Sequence, residues 1–106
     1  MMTTDSTARS EFIAGLRRLA AFLADNPKVP VSTGGLDVTV LAEGTDRQQR
    51  AAVDRIAHLI GAPTSDSTFY VAARDFGPIT YRAVAIPAEQ SRDYDAWSTY
   101  YGAVTA

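Results

Sequence analysis

The sequence predicts one α+β domain, in the order helix, strand, helix, strand, strand, ending in a C-terminal helix or aromatic tail. Three observations predict it. Apolar residues recur at helical spacing twice, once after Ser10 and once after Thr45. The segment LDVTVL alternates apolar and polar residues, as a half-buried strand does. The runs FYVAAR and ITYRAVAI concentrate β-forming residues on either side of Gly77-Pro78. At 106 residues, 46% hydrophobic and 21% charged, the chain has the size and composition of a single domain around one core.

Residues 1–9 are small and polar and read as a disordered leader, which places the domain at 10–102. Ser10 is the expected cap of the first helix, with Glu11 in its first turn, where a carboxylate meets the positive end of the helix dipole. Phe12, Leu16, Leu19 and Leu23 follow at i, i+4, i+7 and i+11, and Ile13, Ala20 and Phe22 widen that stripe. Asn26-Pro27 ends the helix, because a proline disfavours helical geometry in the residue before it. In the first strand, Leu36, Val38 and Val40 share one face, with Asp37 and Thr39 on the other.

Thr45 and Gln48 have the spacing of a capping box, and Ala52, Val53, Ile56, Ala57 and Ile60 give the second helix its apolar face. Gly61 and Pro63 stop it. On its solvent side, Asp46 with Arg50 and Arg50 with Asp54 have ion-pair spacing. Thr64 to Thr68 reads as a polar linker. Asp75 to Pro78 reads as the turn of a hairpin, and Ala83 to Ile86, apolar without alternation, marks the last strand as central. These elements predict a three-stranded sheet of order 1-3-2, with strands one and two parallel, strand three antiparallel to both, and both helices on one face. The opposite face, offering Tyr70, Tyr81 or Val84, would then want a cover.

The chain has no cysteine, which excludes disulfides and thiolate metal sites and fits a cytoplasmic location. No apolar run approaches a membrane span, and the first residues lack the order of a secretion signal. A formal net charge of -2 gives no global attraction for nucleic acid, so such binding would need a local basic face. His58 stands four residues after Asp54, a spacing that suits a helix-surface ion pair. With a single histidine, a metal would depend on carboxylates. Ser67 and Ser91 have no triad partners at a recognisable spacing, and Gly34, Gly35 and Gly44 form no phosphate loop. A small enzyme of unknown reaction would need a pocket built on Asp54 and His58 or on paired carboxylates. No cofactor is expected.

Two stretches suggest surfaces. RDFGPITYR is similar to the RNA-contacting strand of RNA recognition motif domains at Arg74, Phe76, Gly77, Ile79 and Tyr81. It departs from that pattern where Asp75 replaces glycine and Pro78 replaces a stacking aromatic. The alternative reading is therefore nucleic-acid binding through Arg74, Phe76 and Tyr81 of this pattern together with the adjacent Arg82. YDAWSTYY places Tyr94, Trp97 and Tyr101 at i, i+3 and i+7, one stripe of a helix capped by Ser91. The stripe can cover the domain's own sheet or face a partner.

Together, FIAGLRRLAAFL, VDRIAHLIG and FGPITYRAVAIP resemble a group of small uncharacterised actinobacterial proteins, some of them similar to products of phages and integrated elements. The resemblance runs from Phe12 to Pro87 and rests on packing features. It implies a cytoplasmic, phage-associated domain and carries over no catalytic residue. The leading expectation is a non-enzymatic interaction module, alone or as a homodimer, that docks to a protein through Phe76, Tyr81, Arg82, Tyr94, Trp97 and Tyr101.

Overall fold

The computed structural model describes residues 2–87. Six elements follow in order: α1 (Ser6–Asp25), β1 (Leu36–Leu41), α2 (Asp46–Ile60), β2 (Thr64–Asp66), β3 (Tyr70–Phe76) and β4 (Ile79–Ala85). The strands form one sheet of order β1-β4-β3-β2. β1 and β4 are parallel, while β3 is antiparallel to both β4 and β2.

This corrects the three-stranded expectation in two ways. Thr64–Asp66 is not linker but a short edge strand, paired with Ala72, Val71 and Tyr70. Its presence adds one chain reversal after α2. The parallel crossover from β1 therefore arrives at β2, and β3 runs opposite to β1. The order of the other three strands is as expected, with β4 inside the sheet between β1 and β3.

The β3-β4 turn is tighter than the sequence suggested. Phe76 pairs directly with Ile79, which leaves Gly77 and Pro78 as the two loop residues. Gly77 has φ of 64° and proline holds φ negative, the combination of a type II′ hairpin turn. At the other edge, Gly35 comes so close to this turn that a Cβ there would lie 2.1 Å from the Pro78 carbonyl oxygen, and Gly35 itself has φ of +82°. Leu36 N–H donates to that same carbonyl at 3.1 Å, so the entry of β1 is tied to the hairpin tip.

α2 behaves as its sequence dictates. Thr45 and Gln48 form both bonds of the capping box, and Gly61 closes the C-terminus in the left-handed region. Its face of Ala52, Val53 and Ala57 is buried, with Ile56 and Ile60 partly so, against Ala72, Ala83 and Ala85 of the sheet. Small side chains on both sides let the helix lie against β3 and β4. Val53 is fully buried at the centre.

The second correction concerns α1. It does not pack on the sheet as α2 does, and none of its residues is buried. Asp5 caps it, its carboxylate accepting from Ala8 N–H at 3.0 Å, so the helix takes in residues 6–9 ahead of the expected cap at Ser10. The leader also contributes Met2, which packs against the core formed by α2 and the sheet.

Candidate interaction surfaces

Strand alternation assigns the sheet's side chains to two faces. Tyr70, Ala72, Arg74 and Phe76 of β3 share α2's face with Ile79, Tyr81, Ala83 and Ala85 of β4 and with Leu36, Val38 and Val40 of β1. Arg82 and Val84 point the other way. Tyr70 and Tyr81, expected to need a cover, are half-buried against the core beside α2, whereas Val84 is buried on the far face.

α2 does not reach the hairpin end of this face. Arg74 Nη1 donates to the carbonyl of Ile60, the last residue of α2, at 3.3 Å. One residue pair beyond, the row Leu36, Ile79 and Phe76 crosses three strands, exposed at 45%, 44% and 56%. The Arg74 guanidinium lies 4.9 Å from the centre of the Phe76 ring, holding that ring beside the row. This is the uncovered end of the face that α2 otherwise covers.

The larger apolar surface is α1. Phe12 and Phe22 are more than half exposed, and Leu16, Leu19 and Ile13 only slightly less so. The stripe read from the sequence is present on the helix, but nothing among the described residues buries it.

A third feature lies at the opposite end of the sheet. Gln49, Arg50, Asp66, Phe69, Tyr70 and Ile86 line an open cleft of about 140 Å³. Arg50 bonds Asp66 at 2.8 Å and stacks 4.0 Å above the Tyr70 ring, while the Tyr70 hydroxyl donates to Asp54. The expected pairing of Arg50 with Asp54 along α2 thus gives way to a bond across to β2. The hydrogen bond and charge of Asp66 raise the Arg50 pKa above its ordinary value. A cation with a raised pKa contributes below its ordinary value and is lost only above it, so Arg50 makes no pH dependence near neutrality.

Gln49 is the member of this region that sequence reading missed. It is buried, its Nε2 donates to the Gly44 carbonyl at 3.0 Å, and its Oε1 accepts from Ile86 N–H at 2.9 Å. Its signal was its place on the apolar stripe, three and four residues before Ala52 and Val53. A polar residue on a buried face implies a polar partner under it.

The residues singled out in the sequence are divided by the fold. Arg74, Phe76 and Tyr81 share one face, while Arg82 lies on the other, 3.6 Å from Asp37. A base-stacking platform using all four would have to wrap an edge. Asp54 is engaged by Tyr70, and His58 is exposed on α2, its carbonyl accepting from Gly61. Among the described residues, no group of three or more potential ligands could hold a metal, and no helix is long and apolar enough to cross a membrane. Tyr94, Trp97, Tyr101 and Ser91 lie outside the described residues.

Searches among family models, curated proteins and solved structures found no match to this chain. They add nothing for or against the resemblance to actinobacterial and phage-associated proteins.

Proposed function

We propose that the chain is a small, non-enzymatic protein-interaction module that docks through the apolar face of α1 and the hairpin end of its sheet. One observation carries this. The buried side chains are small, mostly alanine and valine with Ile86, while Phe12, Leu16, Leu19, Phe22, Phe76 and Ile79 stay in water. Burying large apolar side chains stabilises a fold most per residue, by roughly 1.5–3 kcal/mol each. Among the described residues, large apolar side chains left outside the core are available for another surface.

α1 strengthens this reading. A helix in a protein draws most of its stability from packing its amphipathic face rather than from intrinsic propensity. Docking α1 to a partner would supply that packing. Phe76 belongs to the second surface, with Arg74 positioning its ring and Tyr81 half-buried behind it.

The test is the thermal melt of a Leu16→Asp/Leu19→Asp variant, followed through the sheet at high dilution, where association contributes least. The expected result is a sheet that melts with the wild type, because the face serves surfaces outside the monomer. Cooperative loss of the sheet in the variant would make α1 part of the chain's own core and end the proposal.

A further inference from the structure

Resting on that docking reading, we infer that the occupant of the α1 face is a second copy of this chain, with the two α1 helices packed antiparallel. The first support is spacing. Phe12, Leu16, Leu19 and Leu23 are separated by four, three and four residues, the seam of a two-helix coiled coil. Set antiparallel about the midpoint between Leu16 and Leu19, this seam matches itself. Leu16 meets the partner's Leu19, and Phe12 meets the partner's Leu23.

The flanks of the seam match in the same register. On one side, Ile13 falls beside the partner's Ala20, a large residue against a small one. On the other, Phe22 falls beside the partner's Gly15, where a Cβ would have nothing within 4 Å in the single chain. Two-fold symmetry makes each of these pairs occur twice. A glycine inside a helix costs stability by propensity alone, so its position opposite a phenylalanine gives that cost a use.

Charge selects the antiparallel arrangement over the parallel one. Arg9 continues the seam one step before Phe12. In a parallel pair it would face its own copy, a like-charge contact. In the antiparallel pair it faces the partner's helix C-terminus, which has no basic residue in its last turn and carries Asp25. The negative end of the helix dipole then gains from the partner the cation its own last turn lacks.

The area also suffices. Half-exposed side chains of this size offer on the order of 400–500 Å² of apolar surface per copy. In an interface about 60% apolar, this corresponds to roughly 700–800 Å² per partner, the scale of a standard stable complex.

The test is solution mass by sedimentation equilibrium on the full chain, across roughly 1–500 μM. The expected wild type is a monomer–dimer equilibrium. Leu16→Asp should abolish the dimer. Gly15→Leu should weaken it about tenfold or more while helix content by circular dichroism holds or rises, since leucine favours the helix over glycine. Arg9→Glu should weaken it several-fold, less so at high salt. A wild type that stays monomeric throughout, or a dimer that ignores both Leu16→Asp and Gly15→Leu, overturns the inference. The melt of the doubly substituted α1 separates the two failures: a monomer whose sheet ignores that substitution keeps the docking reading and loses only the second copy. A monomer whose sheet unfolds loses both.

Discussion

The two helices of this chain have similar sequence patterns and opposite fates. Both show an apolar stripe at helical spacing, and α1, with leucines and phenylalanines, has the more strongly apolar one. Yet α2 is the helix that packs, through Ala52, Val53 and Ala57, and α1 buries nothing. The difference lies in what each helix meets. α2 is held between β1 and β2 by short connections and presents small side chains to an equally small surface of Ala72, Ala83 and Ala85. Close packing rewards a matched fit over hydrophobicity alone. α1 is separated from β1 by the longer stretch Asn26–Gly35, and its large side chains meet no such matched surface among the described residues. An amphipathic pattern therefore states that a helix needs a surface without stating whose.

Substitutions can break or sharpen this contrast. The largest effect is expected at Val53→Asp, which buries a charge with no partner at the centre of α2's contact and should cost more than about 4 kcal/mol in urea denaturation. A folded, wild-type-like variant would show that α2 is not the organising helix. Gly35→Ala should follow, losing about 2–3 kcal/mol, because the new Cβ meets the Pro78 carbonyl and the backbone has positive φ. Gln49→Ala should cost about 1–3 kcal/mol by leaving Ile86 N–H without its acceptor, seen as faster hydrogen exchange at that amide. At dilution, Leu19→Asp on α1 should stay under about 1 kcal/mol, the counterpart that gives the Val53 result its meaning. Smallest of all, Asp66→Asn should shift the midpoint only slightly at low salt. The shift should vanish near 1 M salt, where the screening length falls to about 3 Å, since the Arg50 pair is exposed.

Most signals with a local cause were legible, the exception being the start of α1, where Asp5 rather than Ser10 is the cap. The capping box at Thr45 and Gln48, the Gly61 stop, the alternation in β1 and the interior place of β4 all follow from residues within a few positions of each other. The short strand β2 was not legible. Thr-Ser-Asp has little strand propensity, and those residues are extended because β3 offers them a ladder. The bond from Arg50 across to Asp66 was hidden for the same reason. Sixteen residues separate them in sequence, and only the edge strand brings them together. Of the candidate surface, Phe76 was readable from the hairpin, and the separation of Tyr81 from Arg82 onto opposite faces follows from alternation within β4 itself, whatever its register.

By itself, then, the sequence determined the elements from α1 to β4, apart from β2 and the start of α1, together with the caps of α2, the hairpin turn and the two apolar stripes. Those are decided by backbone geometry and side-chain spacing over one or two turns. The tertiary structure decided which stripe is core, the direction of β3, the four-stranded order and the uncovered row at Leu36, Ile79 and Phe76. Each of those depends on the shape of a surface assembled from distant segments, and matched small side chains on α2 and the sheet settled it.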